Sequence, residues 1–395
     1  MKAIIHTRII TEYGILRNGA VLFDENGILY AGPEKDAVIP DGTEITDARG
    51  RYAAPGLIDI HCHGARDMRF TKDPLHCAKY HLCHGVTTVL PTFSYTDTCE
   101  DMIRGAGFLR KQLSLPGGQV MKYGLYMEGP YMNGEGGGMS RCTWGGPVRP
   151  EVYRPLTDTL GSLVRIWAVD PDREGIEDFI RYAKKVQPQV IFAYGHSHAA
   201  SETCRAFRHY GFKVQTHHGD SGQAKGRAQG TPGAGCDEYT MNEPDMYAEL
   251  IVDETGIHVV PDRVKLVIRT KGPERVILIT DSVAFISGKN AAEKGIWYGP
   301  DLNYDDIGLL DGSCMTLDHA CRNVTSHTPY GLCHAVMMAT ATPAKMLGID
   351  SEVGSLEPGK RANIILTDDD MNVSAVWLDG VQCQKDGELL GEFRQ

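Results

Sequence analysis

The middle of this 395-residue chain alternates short apolar segments with segments rich in helix-forming residues, and this alternation restricts the fold more than any other feature. The pattern is typical of parallel strands joined by helical crossovers. Helices are predicted at 177–186, at 202–210 and at 332–346, the last ending near Gly348. The candidate strands are 57–62, 87–91, 122–128, 163–169, 190–194, 213–217, 248–253 and 276–281. Eight parallel strands with crossovers predict an α/β fold, a distorted (β/α)8 barrel of the TIM type.

Both ends of the chain differ from this middle because they read as short strands separated by polar turns. Segments 3–5, 19–23 and 27–32 have this character near the start, and segments 362–367 and 373–378 repeat it near the end. We therefore expect the two ends to pair as one small β-sandwich domain. The predicted division assigns residues 1–54 and 349–395 to this small domain and residues 55–348 to the barrel.

Composition and charge argue against several classes of protein. The formal net charge of -11 repels polyanions, and no run of Lys or Arg offers a footprint for nucleic acid, so no nucleic-acid partner is expected. No stretch approaches 18 apolar residues, which argues against a membrane span. The 11 cysteines show no paired framework, and the first residues lack a long apolar run. These features predict reduced thiols and a cytoplasmic location.

Two predicted strands end in residues that bind metals. Side chains alternate along a strand, so His61 and His63 point the same way and form a clamp for a metal ion. Glu128 ends an apolar run before Gly129 and Pro130, where a buried carboxylate needs a cation. Each has an ordinary alternative: histidines also occur as hydrogen-bonded residues at strand ends, and a lone Glu is often paired with an Arg.

Three further strand ends carry the same kinds of side chain, namely His196, His217 and Asp281. The C-terminal ends of barrel strands converge on one face, so the recurrence favours a metal site over separate structural roles. Imidazole and carboxylate donors without thiolate suit zinc or another first-row divalent ion. Asp281 is predicted to take a proton from the attacking water and return it to the leaving amine. Cys62 should face away from the two histidines and is read as core.

The sequence resembles the amidohydrolase superfamily and, within it, the N-acetylglucosamine-6-phosphate deacetylases. The segments that carry the resemblance are 55–64 (PGLIDIHCHG), 128–133 (EGPYMN), 195–197 (GHS), 216–217 (TH), 280–281 (TD) and 354–363 (GSLEPGKRAN). The resemblance implies hydrolysis of the N-acetyl amide of an amino sugar, N-acetylglucosamine 6-phosphate or a close analogue, to acetate and free amine. It also implies a homodimer and one or two divalent ions per chain, with Glu128 as a bridge between two ions. Zinc is the first expectation for the metal, followed by iron, manganese or others. His258 is implied to polarise the substrate carbonyl.

Two loops depart from the pattern of these deacetylases. A Lys-Gly-Ala-His type of loop is replaced by a glycine-rich segment that ends in Arg141, and an Asn-Ala pair is replaced by Asp220 and Ser221. Asp220 would repel a phosphate unless Lys225 or Arg227 offsets it, although basic residues in loops are often only solvated. The residues predicted to contact substrate are Met139, Ser140, Arg141, Asp220, Ser221, Arg227 and His258.

Other functions within and outside this superfamily fit the sequence less well. Hydantoinases and dihydroorotases typically bridge two metals with a carboxylated lysine at the end of strand four, and segment 164–170 (VRIWAVD) has none. Purine-type deaminases of the superfamily typically lack the strand-three Glu. An amidohydrolase for a different N-acyl or cyclic amide remains an alternative. A non-catalytic metal-binding barrel is another, and the presence of all five ligand candidates together with Asp281 argues against it.

Overall fold

The structure is a computed structural model that describes residues 1–133, 144, 146–223, 229–284, 299–305 and 308–394. Within these residues, none of the helices combines the length and the apolar character that a membrane span requires. The helices span Pro74–Cys83, Cys99–Gln112, Pro150–Leu160, Ile176–Val186, Ser201–Phe207, Cys236–Asn242, Pro261–Lys271, Leu317–His327, Leu332–Met338 and Ala341–Leu347.

The strands are numbered in chain order. They are β1 (Lys2–Thr11), β2 (Gly14–Asp24), β3 (Gly27–Pro33), β4 (Glu44–Asp47), β5 (Tyr52–Pro55), β6 (Leu57–Cys62), β7 (Gly64–Ala65), β8 (Met68–Arg69), β9 (Val86–Ser94), β10 (Leu125–Glu128), β11 (Val164–Val169), β12 (Ile191–Tyr194), β13 (Phe212–Gln215), β14 (Tyr247–Ile251), β15 (Val276–Ile279), β16 (Leu302–Tyr304), β17 (Leu310–Ser313), β18 (Ile364–Thr367), β19 (Val373–Leu378), β20 (Val381–Lys385) and β21 (Glu388–Leu389).

The two chain ends pair in one mixed sheet, which confirms the predicted β unit. Its strands run in the order β21-β20-β19-β18-β5-β1-β2-β3, with β4 beside β1. The link between the ends is the antiparallel pairing of β18 with β5. A separate apolar core fills this unit, where the rings of Phe23 and Trp377 meet edge to face with centroids 5.9 Å apart.

The middle forms the predicted barrel. Eight strands pair in the order β15-β14-β13-β12-β11-β10-β9-β6, and each pairing within the sheet is parallel. The first and last strands meet at their C-terminal ends, where Asp281 donates its backbone N–H to His61 at 3.0 Å and His63 donates to Ser282 at 2.8 Å. These hydrogen bonds close the barrel at its C-terminal face, where parallel strands of this fold present their functional residues.

Several predicted elements differ in their limits, and for two of them the backbone gives the reason. The third strand begins at Leu125 and not at residue 122. Gly124, just before it, has a φ of 112°, which residues with a side chain rarely adopt. A Cβ added at Gly124 would lie only 2.4 Å from the carbonyl oxygen of Leu163. The single helix predicted at 332–346 is two helices. Pro343 has no N–H to donate to the Ala339 carbonyl, which instead accepts from the backbone N–H of Ile58 in β6 at 2.8 Å.

Candidate metal centre

The barrel brings together the five predicted metal ligands and Asp281 at the C-terminal ends of its strands. His61 lies within β6 and Glu128 ends β10. His196, His217 and Asp281 each lie two residues beyond the last residue of their strands, β12, β13 and β15. Strand β12 ends at the predicted residue, whereas β13 and β15 end two residues earlier than predicted, so all three side chains follow their strands.

All four imidazoles turn their Nε2 atoms toward the Glu128 carboxylate. The Nε2 atoms of His63 and His217 each lie 3.0 Å from a Glu128 oxygen. Those of His196 and His61 lie 3.2 and 3.7 Å from Oε1 of the same carboxylate. Glu128 therefore occupies the centre of the predicted ligand set.

The donors form two groups whose ligand atoms lie within 4.8 Å of one another. The first group is His61, His63 and Asp281, and the second is Glu128, His196 and His217. In the first group, the Nε2 atoms of His61 and His63 are 3.4 Å apart. If neither of these two nitrogens carries a proton, both lone pairs face the same point, and a cation bound there would satisfy both. Imidazole and carboxylate are the donors that zinc and similar divalent ions take.

The electrostatics of the site also favour a cation. Burial opposes charge on Glu128, but contacts with four imidazoles hold the pKa of its carboxyl well below the usual range. Burial likewise disfavours the charged form of His63, but Asp281 and Glu128 raise its pKa to about 9. The carboxylates therefore create a negative potential at the inward-facing ring nitrogens, and this potential attracts positive charge.

Three of the predicted site residues have strained backbones. The φ angles of His196, His217 and Asp281 are 41°, 25° and 47°, in the left-handed region that residues other than glycine seldom adopt. Such conformations cost about 1 to 3 kcal/mol each and cluster at functional sites. In this barrel each left-handed residue turns the chain sharply at a strand end, and each side chain lines the central cavity.

The centre forms the floor of a cavity of about 380 Å³, a size that suits a small-molecule substrate. Three of the residues predicted to contact substrate, Asp220, Ser221 and His258, line this cavity. Asp220 Oδ2 lies 3.6 Å from Nδ1 of His258 and 3.7 Å from Nδ1 of His217. The carboxylate that was expected to repel anions therefore faces two imidazoles, and Ser221 Oγ contacts the His217 ring at 3.2 Å.

Charge on His258 is favoured by this arrangement. Burial lowers the pKa of the imidazole, but the Asp220 carboxylate raises it to about 9. The Nε2 atom of His258 lies 3.0 Å from the carbonyl oxygen of Gly312, so both ring nitrogens face acceptors of the protein. The remaining predicted substrate contacts, Met139, Ser140, Arg141 and Arg227, and the predicted anion-binding Lys225 lie outside the described residues.

Several residues near the centre were missed by the sequence analysis. Arg69 and Asp97 line the cavity mouth, and Arg69 contacts Thr96 at 3.1 Å and Asp97 at 3.5 Å. Among the described lining residues, Arg69 is the only lysine or arginine. The predicted second strand stopped at Pro91, whereas β9 continues to Ser94 and delivers this segment to the cavity. Glu249, a buried carboxylate behind His61, was also missed.

The end of strand four does not carry a bridging lysine. After Val169 ends β11, Asp170 accepts a hydrogen bond from Ser197 at 2.5 Å. No lysine occurs among the described residues that line the cavity. This arrangement differs from the lysine-bridged centres considered above.

Fold and site together define a class of protein, a (β/α)8 barrel with imidazole and carboxylate donors for divalent metal at its C-terminal mouth. Residues 52–383 match the amidohydrolase family. Because this match covers most of the chain, the protein belongs to the amidohydrolase family, and the resemblance seen in the motifs is confirmed.

Individual relatives are similar over nearly the whole chain. The N-acetylglucosamine-6-phosphate deacetylase of Haemophilus influenzae is 28% identical over 377 residues, which are 92% of this chain and 94% of that protein. The N-acetylgalactosamine-6-phosphate deacetylase of Escherichia coli O157:H7 is 29% identical over 398 residues, 94% of this chain and 97% of that protein. The crystal structure of N-acetylglucosamine-6-phosphate deacetylase from Pasteurella multocida has the same fold, with a TM-score of 0.83, 24% identity and coverage of 96% of this chain and 99% of that chain.

Proposed function

We propose that this chain is a metal-dependent deacetylase that hydrolyses the N-acetyl amide of an amino sugar, N-acetylglucosamine 6-phosphate or a close analogue. The observation that carries the proposal is the convergence of four imidazole Nε2 atoms on Glu128, beside Asp281, at the floor of a cavity of small-molecule size. The relatives described above support the same class, because they are named as deacetylases of amino-sugar phosphates.

The two donor groups would hold one or two divalent ions. We propose zinc as the first choice of metal, with iron, manganese or others as alternatives, because the donors are nitrogen and oxygen. Glu128 belongs to the second group and also contacts the His61 and His63 rings of the first, so it would be shared by both groups if both are filled. When bound, such an ion would supply a Lewis acid for the scissile carbonyl.

The chain's own residues would move the proton and hold the substrate. Hydrolysis adds the oxygen of water to the acetyl carbon, breaks the C–N bond and leaves a proton to be carried to the nitrogen. Asp281 lines the cavity with a carboxyl oxygen 3.2 Å from Nε2 of His63, where it could accept that proton and then donate it to the leaving amine. His258, in the cavity wall, would orient the carbonyl through the Nε2–H that faces the carbonyl oxygen of Gly312 in this structure, and Asp220 would orient the sugar hydroxyls.

Metal content is the first expected result. Protein purified without chelator should carry one or two divalent ions per chain, because two groups of convergent donors are present. Elemental analysis by mass spectrometry, with protein concentration from amino-acid analysis, measures the ratio. A protein without stoichiometric metal would contradict the proposed site and would favour neither the deacetylase nor a metal-binding barrel.

Substrate preference is the second expected result. The enzyme should deacetylate an N-acetyl amino sugar and should prefer an epimer, or a different group at the sixth carbon, over N-acetylglucosamine 6-phosphate. Two loop sequences depart from the deacetylase pattern, and a mismatched polar partner in a substrate pocket costs several kcal/mol. In the described cavity wall Arg69 is the single lysine or arginine, and the Asp220 carboxylate is paired with the His258 ring.

The measurement compares kcat/KM for N-acetylglucosamine 6-phosphate, its galactosamine epimer and both unphosphorylated sugars, with acetate and amine quantified in each case. Equal amounts of the two products establish deacetylation. If N-acetylglucosamine 6-phosphate exceeds every alternative and reaches about 10⁴ to 10⁸ per molar per second, the expected shift in preference is wrong. If no sugar reacts, a panel of other N-acyl and cyclic amides tests the alternative amidohydrolase activity.

We also propose a domain division, an oligomeric state and a cellular location for this chain. The domain limits at residues 54 and 348 remain predictions, as do the homodimer and the cytoplasmic location. Sedimentation of the purified protein tests the dimer. Limited proteolysis near the two limits tests the domain division.

A further inference from the structure

Glu249 is a charged side chain buried at the third position of β14, and the mechanism above does not use it. Its side chain is fully buried, with 0% exposed. Its Oε2 atom lies 3.0 Å from Nδ1 of His61 and 3.3 Å from the backbone nitrogen of His217. Within the described residues, no lysine or arginine forms a salt bridge with it. A buried carboxylate without a cationic partner is costly, so its retention beside His61 calls for a cause.

The contact fixes the orientation of His61. A carboxylate accepts hydrogen bonds, so Nδ1 of His61 must donate, and Nε2 then presents its lone pair. That Nε2 atom faces the centre, 3.6 Å from Asp281 and 3.4 Å from Nε2 of His63. A carboxylate on the outer nitrogen of a metal-binding histidine sets its tautomer and raises its basicity as a ligand.

This support distinguishes His61 from the other three imidazoles. The Nδ1 atoms of His63 and His196 have no hydrogen-bond partner in the structure. Nδ1 of His217 contacts the hydroxyl of Ser221. Only the His61 ring therefore has a fully buried carboxylate at hydrogen-bond distance from its outer nitrogen, and the effect of that charge should fall mainly on the first group.

We propose that Glu249 is a positioning residue that holds His61 as a ligand and thereby sets the affinity of the first group for the ion that His61 and His63 would bind. This inference rests on the proposed metal-dependent function. Because Oε2 also accepts from the backbone of His217, Glu249 joins the strand ends that supply one ligand to each group. Glu249 does not line the cavity, so it acts on the centre through His61.

The test is metal binding, measured separately from turnover. Metal-free protein would be titrated with Zn²⁺ against a competing chelator, and with Co²⁺ while visible absorption is recorded. Glu249→Gln keeps the shape of the side chain and removes its charge. It should weaken binding of one ion by about 10- to 100-fold and leave the other near the native affinity. The matched control is Asp318→Asn, which alters a buried carboxylate 3.4 Å from His84, outside the two groups.

A second variant separates positioning from general damage. If Glu249 acts through His61, then Glu249→Gln should cause no further loss in a His61→Asn background. Equal affinities in native and Glu249→Gln protein, or the same loss with and without His61, would overturn the proposal. If native protein binds no ion, the proposed function itself fails, and this outcome is distinct from a failure of the Glu249 role.

A measurement on the native protein covers the case in which Glu249→Gln does not fold. Nitrogen NMR of zinc-loaded protein with labelled histidine should show the proton of His61 on Nδ1, with the signal assigned by its loss in His61→Asn. A proton on Nε2 of that ring would overturn the proposal, because Nε2 could not then bind the ion.

Discussion

Glu128→Gln should lower kcat by about 10³-fold or more and should reduce metal binding to both donor groups. The carboxylate lies 3.0 Å from the rings of His63 and His217 and is the central contact of the site. A Lewis acid supplies several kcal/mol to transition-state stabilisation, and each 1.4 kcal/mol corresponds to a factor of ten. Glutamine keeps the size of the side chain but lacks the negative charge that attracts the cation.

Metal content and turnover should be measured on the same preparation, with Asp318→Asn as the control for loss of a buried carboxylate. That control should retain both ions and native turnover, because Asp318 pairs with His84 away from the cavity. A Glu128→Gln protein with full metal and full activity would show that the centre has been assigned to the wrong residues.

Asp281→Asn should lower kcat by about 10²-fold or more while the fold and most of the metal are retained. Its proposed task is proton transfer, and loss of a general acid or base typically has an effect of this size. Asparagine can still occupy the strained backbone, since Asn tolerates the left-handed region that Asp281 adopts with a φ of 47°. The backbone contacts that close the barrel, including the bond to His61, should therefore persist.

Single-turnover kinetics and elemental analysis together test this role. A fall in the chemical step at nearly constant metal content agrees with proton transfer by Asp281. Turnover at the native rate would remove the role. Loss of one full ion equivalent would assign Asp281 to metal binding, which its place in the first donor group permits geometrically.

The parts of the fold that depend on local periodicity could be predicted from the sequence. Strand β6 and strand β19 have the predicted limits, because each is an apolar run with clear turn signals on both sides. The convergence of the His-X-His motif and the strand-end carboxylates could also be predicted, because parallel strands of a barrel all deliver their C-terminal ends to one face.

The features that depend on contacts between distant segments could not be predicted. Glu249 lies in the middle of a strand whose five residues are all buried, and nothing in that segment indicates that the carboxylate faces His61, 188 residues earlier. The signal that could have revealed it is a single charge inside an apolar strand. Arg69 follows the first motif, but its place at the cavity mouth depends on β9 continuing past Pro91.

The central claim is that a divalent metal held by this barrel mouth drives amide hydrolysis. Its most direct test is to remove metal with a chelator, add Zn²⁺ back in steps and record bound metal together with acetate release from the best amino-sugar substrate. The account predicts negligible release by metal-free protein and release that rises with occupancy of the donor groups, with no such rise in Glu128→Gln. Release by metal-free protein at the native rate would contradict the account.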